Sequence, residues 1–390
     1  MIEVAITDVC DFQGGTQPPK SEWSSEEKCG YVRMLQIRDF TQGKKSHIEY
    51  VREKKTLKTC MADDILIGRY GASIGKILTG LAGAYNVAIV KTIPDTSKIH
   101  REFLLHLLKG ESFQRFISTV GSRAAQAGFN KKELASFRFV LPPLSEQKKI
   151  AAILDAADQL RKKDQQLIDH YTALSQSLFL EMFGDPVSNP MGWEVGTLDD
   201  YCLKITDGTH QSPEFLSEGV PFLLVSNIVK NQIVFDTKKF VSETTYCQLT
   251  KSTPIEMGDL LYTSVGSYGN PAIVNTERKF CFQRHIAHLK PDSHKIHFRF
   301  LHGLLQSEYV KRQADRLARG VAQKTLNLKA IKSYEVFCPP LSVQMEYSNR
   351  VLSIESQQKQ SLINSMRSND LFNSLLQRAF KGELTSSKAA

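Results

Sequence analysis

Residues 99–183 align with residues 296–380 without a gap, at a constant offset of 197. Across 99–147, 18 of 49 positions are identical. Ile99-His100, Phe103-Leu104, Leu107-Leu108, Glu111 and Arg115 return as Ile296-His297, Phe300-Leu301, Leu304-Leu305, Glu308 and Arg312. Upstream the likeness continues with small gaps: Gly15-Thr16 pairs with Gly208-Thr209, and Asp64-Ile65-Leu66…Gly71 with Asp259-Leu260-Leu261…Gly266. A period this long means a duplicated domain, because solenoid repeats are far shorter. The chain is therefore two copies of one unit. A fused duplicate implies a pseudo-twofold relation, as in a dimer joined into one chain.

Each copy carries the same punctuation. Leu141-Pro142-Pro143-Leu144-Ser145-Glu146-Gln147 returns as Cys338-Pro339-Pro340-Leu341-Ser342-Val343-Gln344. The prolines end an extended run, having no amide hydrogen to give and biasing the preceding residue away from helix. Ser145 and Ser342 stand where an N-cap belongs. After the first, apolar residues recur at Ile150, Ile153, Ala157, Leu160, Leu167, Tyr171, Leu174, Leu178 and Met182. After the second they recur at Tyr347, Val351, Ile354, Leu362, Met366, Phe372, Leu376 and Phe380. Steps of three and four predict two long helices that pack on each other as a coiled coil. Two ordinary amphipathic helices, each lying on its own domain, are the plainer alternative. The boundaries read as a mixed segment 1–144, a long helix 145–184, a linker 185–192, a mixed segment 193–341, a second long helix 342–381 and a tail 382–390. The fold class is α+β.

Charge is uneven along this plan. Residues 1–144 carry 21 Lys/Arg against 15 Asp/Glu, whereas 145–185 carry 5 against 7. The positive excess sits mainly in the mixed segments, as suits surfaces that meet phosphates. Seven scattered cysteines without a Cys-x-x-Cys read as reduced thiols, and Met1-Ile2-Glu3-Val4 shows no signal-peptide pattern. With no run of eighteen apolar residues, the expectation is a cytoplasmic protein without a membrane partner.

In order, residues 1–98 read as short strands and turns, with Tyr31–Ile37 and Ala84–Val90 strand-like. Between them, Asp64–Lys76 is a strand running into a glycine-rich loop. It is not a P-loop: three residues separate Gly71 from Gly75, and Ile77 follows Lys76. Arg69, Ser73 and Lys76 are candidate DNA contacts, with a plain turn as the alternative. Residues 99–118 predict one amphipathic helix with a core face. The polar, basic loop 121–132 adds Arg123, Gln126, Asn130 and Lys132 as candidates. The second copy supplies Ser264, Ser267 and Tyr268 from its glycine-rich loop, and Arg319, Gln323, Lys324 and Asn327 from its basic loop. Arginine suits guanine O6/N7, glutamine and asparagine suit adenine N6/N7, and lysine suits phosphate. A solvated loop can share this composition. His285, His288, His294 and His297 lack the spaced Cys/His quartet of a zinc site.

No catalytic constellation stands out. Leu141-Pro142-Pro143-Leu144 lacks the acidic or amide residue and the aromatic of the amino-methyltransferase signature. A nucleophile elbow, a nuclease Pro-Asp…Asp/Glu-x-Lys and a glycine-rich S-adenosylmethionine loop are also missing. At this point the chain resembles the specificity (S) subunits of type I restriction–modification systems. The carriers are the two Pro-Pro-Leu-Ser motifs, Met182-Phe183-Gly184-Asp185-Pro186 at the helix end, Asn189-Pro190…Trp193 opening the second copy, and Ala379-Phe380-Lys381-Gly382-Glu383-Leu384 near the C-terminus. Val343, where the first copy has Glu146, departs from the pattern.

The resemblance implies that 1–144 and 193–341 are target recognition domains, each reading half of a bipartite site on double-stranded DNA. It implies an antiparallel coiled-coil spacer; roughly 57 Å of rod would cover about 16 base pairs. Methyltransferase (M) subunits and restriction (R) subunits would dock on this scaffold. The chain itself would be non-catalytic and hold no cofactor or metal, with S-adenosylmethionine, ATP and Mg in the partner subunits. Two rivals remain: a self-contained DNA methyltransferase or nuclease, and a coiled-coil scaffold without a DNA role.

Overall fold

The computed structural model describes residues 2–42, 47–121, 128–320 and 323–384. It falls into two compact units, Met1–Gln166 with Leu362–Ala390, and Leu167–Ser361. Each unit thus owns one mixed domain and a segment of each long helix.

The first unit holds a four-stranded antiparallel sheet, in the order Cys10–Gly14, Ile89–Pro94, Leu66–Gly68, Ile77–Leu78. The second repeats it as Cys202–Asp207, Ile286–Pro291, Leu260–Thr263, Pro271–Ile273. The central strands, Ile89–Pro94 and Ile286–Pro291, keep the offset of 197. So does a short parallel pairing beside each sheet, Met34↔Ala84 in one and Phe222↔Cys281 in the other at its second strand. Around those parallel pairs the copies diverge. The first unit builds five strands, in the order Trp23–Ser24, Tyr50–Arg52, Tyr31–Leu35, Gly83–Tyr85, Thr59–Cys60; the second builds three, Phe240–Val241, Val220–Leu223, Cys281–Phe282. One shared close approach explains a shared glycine. A Cβ on Gly15 would lie 2.1 Å from the Asn86 carbonyl oxygen, and one on Gly208 2.1 Å from that of Phe282.

Local expectations needed correcting where a turn intervenes. The run 84–90 is two strands, because Asn86 accepts the Ala88 amide at 3.1 Å and turns the chain between Gly83–Tyr85 and Ile89–Pro94. The helix expected over 99–118 is broken at Gly110, whose extended backbone separates Arg101–Lys109 from Glu111–Gly121. Both helices pack their apolar face into the core, through Phe103, Leu104, Leu107, Leu108, Phe113 and Ile117.

The long helices span Leu144–Phe183 and Leu341–Phe380, 40 residues each. Each begins one residue before its serine, so Ser145 and Ser342 lie within the first turn rather than capping it. What secures each start is a glutamine. Gln147, fully buried, accepts the His100 amide at 2.7 Å and donates to the carbonyls of Lys98 (2.9 Å) and Pro142 (2.8 Å). Gln344 does the same with His297 (2.7 Å), Lys295 (3.3 Å) and Pro339 (2.6 Å). The Glu146/Val343 difference leaves this arrangement intact.

Within each unit the helix segments run antiparallel. In the first, Ile150, Leu154 and Ala157 join Phe372, Leu376 and Ala379 in one core, and Phe380 meets Phe103 with ring centroids 5.4 Å apart. In the second, Phe179 and Phe183 pack on Tyr347, Phe300 and Phe337. Of the seam read in the sequence, Ile150, Ala157, Leu178, Tyr347, Val351, Phe372 and Leu376 are buried, and the middle is not. Leu160, Leu167, Leu174, Leu362 and Met366 are exposed, the last by 68%. Asp158, Ser361 and Ser368 are buried instead. Toward the middle the contacts are polar: Gln358 donates to Thr172 Oγ1 at 2.9 Å, and the Arg161 guanidinium lies 4.6 Å from the Phe372 ring centre.

One junction pairs a buried histidine with a carboxylate. His106, buried on the helix Arg101–Lys109, holds Asp155 Oδ1 at 2.8 Å through Nε2, while its buried Nδ1 has no hydrogen-bond partner. Burial pushes the imidazole below its ordinary pKa, against the pull of the Asp155 carboxylate. A folded-state pKa lowered this way favours the neutral ring. Its contribution is complete above the ordinary histidine value of about 6.5 and is lost as pH falls below it. Unfolding temperatures measured from pH 7.5 down to 5 will therefore fall more steeply for the native chain than for His106→Gln. Parallel curves would remove His106 from this account.

Candidate nucleic-acid interface

In both units the glycine-rich loop is laced to the basic loop. In the first, the loop closes on itself: Gly68 N–H donates to the Lys76 carbonyl at 2.8 Å, and Gly75 N–H to that of Gly68 at 2.9 Å. Gly75 has φ +76, and a Cβ there would sit 2.5 Å from Ile117 Cγ2. Gln114 donates to the Gly75 carbonyl at 3.0 Å, tying the loop to the helix Glu111–Gly121. Tyr70 then pairs with Gly128 in an isolated antiparallel bridge, and a Cβ on Gly128 would meet the Tyr70 ring at 2.6 Å. Arg69 spans the same junction. Its Nε donates to the Phe129 carbonyl at 2.9 Å, and its guanidinium lies 5.0 Å from the Tyr70 ring centre.

The second unit makes the equivalent joint. Val265 bridges Thr325, the residue 197 positions after Gly128. Gly266 N–H donates to the Lys324 carbonyl at 3.1 Å, and Leu326 N–H to that of Ser264 at 2.8 Å. Arg319 and Thr325 exchange backbone hydrogen bonds of 3.0 and 2.8 Å, which ties two points of the basic loop together. Thr263 Oγ1 donates to the Ser267 carbonyl at 2.7 Å and accepts the Asn270 amide at 2.9 Å, which stiffens the glycine-rich turn.

The candidate side chains take different places on this frame. Arg69 and Ser73 are half-buried, and Lys76 and Lys132 are exposed. Arg123 and Gln126 lie outside the described residues. Asn130 is exposed and also has a structural task that the sequence reading missed. Its Oδ1 accepts the Glu133 amide at 3.0 Å as the N-cap of Lys131–Leu134, while Glu133 returns a bond to the Asn130 amide. Asn327 likewise caps Leu328–Lys332, accepting the Ala330 amide at 2.8 Å. Such caps contribute about 1 kcal/mol each. The Asn-x-x-Glu spacing of a capping box was the available signal.

In the second unit Ser267, Arg319, Gln323 and Lys324 are exposed. Ser264 is buried and serves as backbone support. Tyr268 donates to Asp315 at 2.6 Å, and that bond is the main cause holding its hydroxyl above the usual phenol pKa. A groove of about 550 Å³ opens beside Gly266, Ser267 and Gln323. Gln283, His285 and Lys230 also line it, and none of these was singled out as a contact from sequence. Burial, then the neighbouring Arg284, lowers the His285 pKa and favours its neutral ring. Below the loops, Asp259 accepts from His288 (2.7 Å) and Lys290 (2.9 Å). Burial alone would raise the Asp259 carboxyl; these donors overcome it and hold it below the usual carboxylate range. This is an ion cluster supporting the sheet, not an exposed acid. Among the described residues no group of three His, Cys, Asp or Glu side chains could hold a metal.

The arrangement offers guanidinium, ammonium and amide groups on stiffened loops, a donor set suited to phosphates and base edges. Comparison with known proteins gives a consistent picture. The sequence model of the type I restriction modification DNA specificity domain matches residues 1–170 and again 190–362. The chain is 24% identical to the type I restriction enzyme EcoBI specificity subunit of Escherichia coli, covering 98% of this chain and 86% of that one. It is 25% identical to the MjaVIII specificity subunit of Methanocaldococcus jannaschii, covering 90% and 85%. In fold it resembles the crystal structure of a type I restriction–modification S subunit from M. genitalium, with TM-score 0.59, 15% identity and coverage of 97% and 96%. A chain solved in work on complex assembly and conformational transition of the type I system gives TM-score 0.59 at 17% identity, covering 98% of each.

Proposed function

This chain belongs to the type I restriction–modification DNA specificity family, and from that premise we propose that it is the sequence-reading subunit of such a complex. Each unit reads one half of a bipartite site on double-stranded DNA. The long helices join the two readers and dock M subunits, with R subunits completing a restriction-competent assembly. Methyl transfer would be supplied by M with S-adenosylmethionine, and ATP- and Mg-dependent cleavage by R. The supporting observation is the matched lacing of a glycine-rich loop to a basic loop in two units whose neighbouring segments differ. A stiff frame that is kept while its surroundings change suits two readers of unlike sequence.

The reading is tested by incubating the purified chain with labelled S-adenosylmethionine and DNA, with and without an M partner. Label should enter DNA only when M is present. Methylation by the chain alone would favour the self-contained enzyme. A gel shift of chain plus M should weaken steeply with salt, as phosphate contacts require; no shift at low salt would favour a scaffold without a DNA role.

A further inference from the structure

We propose that Gln283 and Gln323 together read an A·T base pair in the half-site bound by the second unit, an assignment that rests on the DNA-reading function above. The two residues come from separate loops and line the same groove. Gln283 has its backbone committed: its N–H donates to the Leu223 carbonyl at 3.2 Å, and its carbonyl accepts from Ile286 at 3.1 Å. The side chain therefore starts from a fixed turn. The Gln323 Nε2 stands 3.5 Å from where a Cβ on Gly266 would be, which places the amide against the glycine-rich turn. Two polar neighbours are occupied. Asn270 donates to Ser267 and Thr263, and Arg284 donates to His285. Among the described residues neither glutamine amide makes a hydrogen bond to protein.

Two primary amides offer donors and acceptors side by side. A phosphate or carboxylate would use only their N–H groups. The guanine major-groove edge offers O6 and N7, two acceptors, and would likewise leave the amide oxygens idle. Adenine presents N6–H₂ beside N7, which matches one donor and one acceptor of a glutamine. Lys230 at the groove's edge suits the adjoining phosphate. In the first unit the positions 197 earlier are Asn86, whose Oδ1 is taken by the Ala88 amide, and Gln126, which lies outside the described residues.

The test is selection from a random duplex pool by the full chain with its M partner, followed by sequencing of bound DNA. Gln283→Ala should cut discrimination at one A·T position of one sequence block by about ten- to a hundred-fold and leave the other block unchanged. Gln283→Glu should turn that position toward cytosine, because a carboxylate accepts from the cytosine N4 amine. If both variants select the native sequence, the adenine assignment is wrong while the DNA-reading function stands. If the native complex enriches no sequence, both fall together.

Discussion

Replacing Gln147 by leucine will lower the unfolding temperature of the first unit by about 10 °C, and Gln344→Leu will do the same to the second. Leucine has nearly the right volume but no polar atoms. It leaves the His100 amide and the carbonyls of Lys98 and Pro142 buried without their partner. Each such loss costs about 1–3 kcal/mol, or about 4 kcal/mol together. At about 2–4 °C per kcal/mol for units of this size, the shift is large enough to read by calorimetry. Because the effect is confined to one unit, the native single transition, or pair of transitions, should split or separate further. A change under 2 °C would mean that water replaces the glutamine and that the tie is dispensable.

The second large effect is expected at Gly75. Valine there meets φ +76 and Ile117 at once, so the loop that carries Arg69, Ser73 and Lys76 must move. Selection of bound DNA by Gly75→Val with an M partner should lose one sequence block by a hundred-fold or more, with the other block retained. Loss of both blocks together would show that the units do not read independently. Retention of both would show that the glycine-rich loop is not part of the reader.

Much of this was legible in the sequence because the duplication doubled every signal. The constant offset marked the helix after Pro340 as the twin of the one after Pro143, and Gln344 as the twin of Gln147. The helix seam was less legible. A search for apolar periodicity finds Ile150, Ala157, Tyr347 and Phe372, which are buried, but also selects Leu160, Leu167 and Leu174, which are exposed where Arg161 meets Phe372 and Gln358 meets Thr172. Hydrophobicity marks where a helix can bury surface, not how much of that surface a partner covers. Asn130 and Asn327 show the converse. Their chemistry suited a base edge, but a cap takes the side-chain oxygen first, leaving only the amide N–H groups for any further partner. Gln283 could not be found from pattern, because its relation to Gln323 exists only once two distant loops share a groove.

The central claim is that one chain carries two separate readers. It is tested most directly by sequencing the DNA that the intact chain and its M partner enrich from random duplexes. The account predicts two short blocks of defined sequence separated by a fixed number of undefined base pairs. A single continuous block, or two blocks at variable spacing, would contradict it.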